Sequence, residues 1–202
     1  MKTINTKKYI QISVIGTVEH KRRDYLALYK AIKMSISQFE RPVSLSFLGK
    51  LKGSYGNRIK EIFKDLECTN FQFSYFNKFV PKEEFESYMS QTDFLLLPMK
   101  LETRYQIYRE QYGMTKISGM EIDMITYQKP VIIPDGYNLP NDLDKFATHY
   151  KSVDDLSRLI IEWVNNKTFI TPVANDLTKY RIKHIQSTFS KTCEAIINKA
   201  EH

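Results

Sequence analysis

Two short segments hold the residues whose types and spacing suit chemistry on an anion. The first is Gly16-Thr17-Val18-Glu19-His20-Lys21-Arg22-Arg23-Asp24, where three consecutive cations stand just before a helical pattern that begins at Tyr25. Cations are disfavoured at a helix N-terminus, and a bound anion would relieve the conflict. A diphosphate is the natural candidate: Lys21 and Arg22 would hold it by charge-assisted bonds, helix-end N–H groups would add to them, and Gly16 would let the backbone approach closely. The same run also reads as a solvated basic face. The second segment is Glu110-Gln111-Tyr112-Gly113-Met114-Thr115-Lys116-Ile117-Ser118-Gly119. Lys116 with the Ser118 and Gly119 amides offers a second phosphate contact, and Glu110 offers an acceptor for sugar hydroxyls. Asp123 or Glu121 offers carboxylate oxygens to ribose hydroxyls, although Glu121 also stands at the capping-box position behind Ser118. Neither segment is a GxGxxG or Walker loop. No Asp-x-Asp pair or His cluster follows a strand pattern, so neither a metal nor a resident cofactor is implied, and His20, His149, His184 and His202 read as surface or packing residues.

The elements that must position these segments alternate in period. Residues 9–15, 43–48 and Phe71–Phe76 read as strands, the last more alternating and nearer a sheet edge. Residues 93–98 and 130–134 are apolar throughout, as central strands covered on both faces should be, with prolines at their ends. Between them run helical stripes: Tyr25, Leu28, Tyr29, Ile32 and Ile36; Ile59, Ile62, Phe63 and Leu66; Leu156, Leu159, Ile160, Trp163 and Val164, with Ser152 or Asp154 as N-cap. A helix is expected over residues 118–128 with Ser118 as its N-cap. A last stripe, Ile182, Ile185, Phe189, Cys193 and Ile196, predicts a C-terminal helix within residues 174–202 that docks back on the domain.

This alternation predicts an α/β fold with a doubly wound, mostly parallel, six-stranded sheet, Rossmann-like, as a single domain over residues 1–202. Ligands bind such sheets outside the carboxyl ends of the strands, where strand order reverses. The seven glycines (16, 49, 53, 56, 113, 119, 136) fall in connections at or near that edge.

Composition narrows the classes further. The 202 residues carry 30 Lys and Arg against 23 Asp and Glu, a net +7. Thirteen of those cations and only three of the acids lie in residues 1–60, so the basic character belongs to one end. Such asymmetry suits a phosphorylated ligand or an anionic membrane surface; nucleic-acid binding is not expected. No apolar run approaches the roughly 20 residues of a membrane span, and the first residues lack the apolar stretch of a secretory signal, so a cytoplasmic location is expected. Two cysteines, Cys68 and Cys193, make neither a metal site nor a disulfide scaffold.

The order Gly16-(x4)-Lys21-Arg22, Phe47-Leu48-Gly49-Lys50, Phe79-Val80-Pro81, Asp93-Phe94-Leu95-Leu96-Leu97-Pro98, Glu110-Gln111-Tyr112-Gly113 and Lys129-Pro130-Val131-Ile132 resembles the C-terminal, donor-binding domain of GT-B glycosyltransferases of the family 4 or group 1 type. The resemblance spans about residues 9–163. It implies a nucleotide-diphospho-sugar donor, such as a UDP-, GDP- or dTDP-sugar, and glycosyl transfer to a hydroxyl acceptor in polysaccharide or glycolipid synthesis, without a metal. It implies that Gly16, Lys21, Arg22, Lys116, Ser118 and Gly119 serve the diphosphate, and that Glu110, Tyr112, Gly113, Glu121 and Asp123 serve the sugar and ribose, Asp123 standing where the family's second Glu falls. The family's Arg directly after the first-loop Gly is Thr17 here. The resemblance further implies an N-terminal acceptor domain or partner chain, which would bring the catalytic base, so that this chain alone transfers nothing. A nucleotide-sugar epimerase-like enzyme and a non-catalytic nucleotide-binding regulatory module are the alternatives.

Overall fold

A computed structural model describes residues 9–173 and 177–200. Residues 1–8 of the basic end, and 174–176 and 201–202 of the terminal helical segment, lie outside the described residues. Six strands form one sheet: β1 (Ile10–Ile15), β2 (Val43–Lys50), β3 (Phe71–Phe76), β4 (Phe94–Leu96), β7 (Val131–Pro134) and β8 (Ala147–Tyr150). Their order is β3-β2-β1-β4-β7-β8 and every pairing is parallel. Strand order reverses between β1 and β4, the place where such sheets open a crevice. Between β4 and β7 the chain makes a separate antiparallel hairpin, β5 (Glu102–Tyr105) and β6 (Tyr108–Gln111).

The period-2 alternation of each strand divides the apolar side chains between two cores. Ile10, Ile12 and Val14 of β1, Val43, Leu45 and Phe47 of β2, and Phe94 and Leu96 of β4 meet helices α1 (Tyr25–Ser35), α2 (Gly53–Lys64) and α6 (Val153–Asn166). Leu95, Leu97, Val131 and Ile133 point the other way, towards α3 (Lys82–Gln91), α4 (Gly119–Tyr127) and the one-turn α5 (Asn141–Asp144). On that second face β1 to β3 add only Ile15, Leu48 and Phe76 at their carboxyl ends and otherwise carry hydroxyls and amides: Ser13 bonds to Thr92 at the end of α3 at 2.7 Å, and Ser46 to Ser74 at 2.8 Å. Asp24 caps α1 by accepting from the Ala27 amide, and Ser152 caps α6 by accepting from Asp155.

The terminal helix α7 (Ile182–Ala200) forms, but it does not dock. Ile182, Ile185, Phe189 and Ile196 are 52–73 % exposed. Leu177 is buried, and Lys179 and Tyr180 bind Asp142 of α5, which anchors the chain just before the helix. The part of the second face left open, at Gln11, Ser44, Gln72 and Ser74 of β1 to β3, is polar, so it offers the apolar stripe of α7 no matching surface.

Candidate active site at the carboxyl edge of the sheet

Loop 16–24 is tied down on both sides. The Gly16 amide donates to the Leu48 carbonyl (3.1 Å), Val18 to Lys50 (2.9 Å), and Lys52 returns a bond to Val18 (3.2 Å). On the other side the Asp24 amide donates to Pro98 (2.6 Å) and Lys100 to Arg22 (3.0 Å). The loop thereby bridges the carboxyl ends of β2 and β4 across the reversal point. Gly49 is what allows the approach: although it lies within β2, a Cβ there would sit 2.1 Å from the Gly16 carbonyl oxygen. Gly16 itself has φ +101°, in the region that favours glycine.

Between this loop and the β5–β6 hairpin opens a cavity of about 870 Å³. Lys21 and Arg22 line it from the loop and Lys52 from the N-cap position of α2. Lys100, Arg104 and Arg109 line it from the hairpin side, and Lys116 from the turn beyond. Three carboxylates share it, Glu19, Glu102 and Glu110. Glu19 accepts from Lys52 at 2.9 Å and lies 3.3 Å from Arg22. Partial burial pushes its carboxyl up, yet the bond to Lys52 and the charges of Lys52, Arg22 and Lys21 outweigh that and hold it below the usual range. Lys100 Nζ donates to the His20 carbonyl at 2.8 Å, stiffening the loop from below.

Lys116 and Glu110, expected to serve phosphate and sugar separately, are brought together at 2.6 Å. The Gln111–Lys116 turn puts them there: the Gln111 carbonyl accepts from the Thr115 and Lys116 amides, and the Gly113 amide donates to the Lys116 carbonyl. Gly113, at φ +79°, packs against the backbone of Tyr137 and Asn138. Tyr112 is not available to a sugar. It is 3 % exposed in the second core, with Lys116 Nζ 5.4 Å from its ring centroid.

Ser118 and Glu121 also turn out to be internal. Ser118 caps α4, its hydroxyl accepting from the Met120 amide, while its own amide donates to the Tyr137 hydroxyl at 2.9 Å. That hydroxyl donates onward to Glu121 Oε1 at 2.5 Å. The two-way capping box is therefore closed through a phenol, and the Ser118 amide is not free for a phosphate. Neither Ser118 nor Gly119 lines the cavity. Asp123 lies outside it too. Burial raises its carboxyl to about 6, against a downward pull from the charge of Arg23.

Arg23 is the residue that sequence reasoning passed over. Its guanidinium lies against Gly16, where a Cβ would meet Nη2 at 2.5 Å, and its Nη1 is buried without a partner among the described residues. The only signal was its place as third in a basic run. The expected conflict of cations with the α1 dipole is resolved by Asp24, a carboxylate at the N-cap, so α1 offers no open anion site. The hairpin was missed because its turn, Gln106-Ile107, lacks the Asn-Gly or Asp-Gly signature; Gln106 takes φ +54° itself.

The structure resembles that of the C-terminal domain of a glycosyl transferase group 1 family protein, LpcC, from Francisella tularensis, with a TM-score of 0.59 over 86 % of this chain and 87 % of that one, at 13 % identity. Its fold is that of a GT-B glycosyltransferase C-terminal domain. The α,α-trehalose-phosphate synthase (UDP-forming) from Burkholderia vietnamiensis matches with a TM-score of 0.57 at 9 % identity, over 94 % of this chain and 44 % of that one. A UDP-N-acetylglucosamine 2-epimerase-type protein from Listeria monocytogenes matches at 0.54 and 10 % identity, over 91 % and 46 %. This GT-B-type domain thus spans less than half the length of those two proteins. No family model and no curated protein matches the sequence. Among the described residues no helix is long and apolar enough to cross a membrane, and no group of three or more His, Cys, Asp or Glu side chains could hold a metal ion.

Proposed function

We propose that this chain is the donor-binding domain of a glycosyltransferase, holding a nucleotide-diphospho-sugar for transfer to a hydroxyl acceptor. The observation that carries the reading is the cation-lined cavity at the strand-order reversal, on a sheet shared with the glycosyltransferase domains above. As the bond to the sugar breaks, negative charge builds on the leaving diphosphate. Cations fixed in place before the reaction stabilise that charge without reorganising. Lys21 and Arg22 face the cavity, and Arg23 brings a guanidinium to the first-loop glycine, where the family's Arg would otherwise stand. Lys116 contributes through its pair with Glu110, whose second carboxylate oxygen remains an acceptor for a sugar hydroxyl. The acceptor and the base that deprotonates it would come from a further domain or partner chain, for which the exposed apolar stripe of α7 is available. A basic end of this kind also fits approach to an anionic membrane carrying the acceptor.

Calorimetric titration of the chain with UDP, GDP, dTDP and their sugars tests the reading. Weak binding, roughly millimolar or tighter, is expected for one of them. The Lys21→Ala, Arg22→Ala double variant should abolish it. No binding of any nucleotide at millimolar ligand overturns the reading. The epimerase-type fold match favours a second outcome, release of the same nucleotide-sugar as its epimer, and product analysis separates the two.

A further inference from the structure

The cavity holds more positive charge than a donor needs. Seven cations face three carboxylates there, a formal excess of four. A diphosphate joining a nucleoside to a sugar carries about two negative charges, one per phosphate. The surplus is not spread evenly. Arg104 and Arg109 stand directly opposite each other in the β5–β6 register, an arrangement that is unfavourable between like charges on an antiparallel pair. Neither guanidinium makes an ion pair with any described residue, although Glu102 and Glu110 lie in the same cavity, and both side chains are exposed to solvent. By contrast Lys116, Lys52 and Arg22 all have a carboxylate partner. An isolated two-stranded hairpin is marginal in water, so a repulsive pair at its middle is a cost that a ligand would remove.

Two guanidinium forks on one face of a hairpin match one phosphate or carboxylate, which accepts two parallel N–H bonds from each fork. Lys21 and Arg22 lie across the cavity on loop 16–24, so the two sets of cations can hold two anionic groups at once. We propose that the Arg104–Arg109 pair binds a second anionic group, a phosphate monoester or a carboxylate distinct from the donor diphosphate. This rests on the donor-binding reading above and extends it to a charged substrate. The charge belongs either to the transferred sugar or to the acceptor.

The test is calorimetry on the chain as it stands, with wild type and with the Arg104→Gln, Arg109→Gln double variant. Both positions are exposed, so the variant retains the fold, which a thermal melt confirms. In one arm UDP-glucose is compared with UDP-glucuronate, and likewise with the other nucleotides if UDP is not the preferred one. In the other arm glucose 6-phosphate and glucose are titrated into protein saturated with the nucleoside diphosphate. The expected result is that the anionic member of one pair binds wild type at least about tenfold more tightly than its neutral counterpart. The double variant should erase that difference while weakening the nucleoside diphosphate, which loses only long-range attraction, by a clearly smaller factor than the charged ligand. Discrimination in the first arm assigns the charge to the sugar, and in the second to the acceptor. Equal binding of charged and neutral members in both arms overturns the proposal. So does a double variant that loses nucleoside diphosphate as strongly as the charged ligand, since the hairpin would then belong to the donor diphosphate. If no nucleotide binds, the donor reading fails by itself. Glucose 6-phosphate alone then decides whether the hairpin binds an anion: Arg-dependent binding supports that part and its absence overturns it.

Discussion

Replacing Tyr137 by Phe removes one oxygen from the α4 N-terminus and tests whether Glu121 is a structural residue. In the native structure the Tyr137 ring is 1 % exposed, and its hydroxyl both accepts from the Ser118 amide and donates to Glu121. Phe fills the same volume, so no cavity term enters. What is lost is a hydrogen bond to a charged group, about 1.5–3 kcal/mol, and a buried N–H at Ser118 is left unpaired, about 1–3 kcal/mol. The two losses share one oxygen and partial relaxation offsets them, so a net destabilisation of about 2–4 kcal/mol is expected. For a domain of this size that is a fall in Tm of about 4–16 °C. Urea melts give the stability change, with an unchanged m-value confirming a two-state comparison. A double-mutant cycle with Glu121→Gln should show coupling above about 1 kcal/mol, because the two side chains share the bond. Nucleotide affinity of the Tyr137→Phe protein should stay within about twofold. A stability change below about 0.5 kcal/mol would refute the network, and a selective loss of nucleotide binding would return Glu121 to the ligand site.

Two further outcomes follow from the close packing and the buried charge. Gly49→Ala places a Cβ 2.1 Å from the Gly16 carbonyl oxygen and 2.9 Å from the Thr17 amide nitrogen, both backbone atoms, and is expected to cost at least about 2 kcal/mol while loosening the first loop. Gly119→Ala, where a Cβ meets nothing within 4 Å, is the control and should be neutral or slightly stabilising in a thermal melt; equal losses at both positions would count against the packing argument. For Asp123, burial raises the carboxyl to about 6 from an ordinary value near 4. The folded state then holds this proton more tightly than the unfolded chain, so stability falls as pH rises from about 4 to about 6 and is level above. Asp123→Asn should therefore be more stable than wild type at pH 7, by about 1 kcal/mol after allowance for solvent screening, with the gap closing at pH 4.5. A gap of the same size at both pH values, measured by urea melts, would rule out the buried charge as its source.

The α/β alternation, the five strongest strands and the Ser118 N-cap were legible because each depends on residues a few positions apart. Apolar runs at 93–98 and 130–134 became β4 and β7, buried on both faces, and the more alternating Phe71–Phe76 became an edge strand. Glycine placement was legible only as a tendency. Gly49 and Gly56 lie inside β2 and α2, where close backbone approach at Gly16 and Leu51 explains them. Of the candidate site residues, Lys21 and Arg22 line the cavity, whereas Tyr112 and Ser118 are internal. Tyr and Ser serve burial and ligand contact equally well by type, and only the fold assigns a given hydroxyl or ring to one of them.

By itself the sequence determined the periods, and through them the layers of the domain and the segment carrying its basic edge. It could do so because hydrophobic spacing is a local property of helix and strand geometry. What only the tertiary structure decided is who meets whom across long separations. Tyr137 closes the cap of a helix that begins 18 residues earlier. Arg23 folds under Gly16, the terminal helix keeps its apolar stripe in water, and Arg104 and Arg109 face each other across a turn that no residue type announced. Those contacts depend on strand order and on the surfaces that distant elements present to one another, and neither is written in any single stretch of the chain.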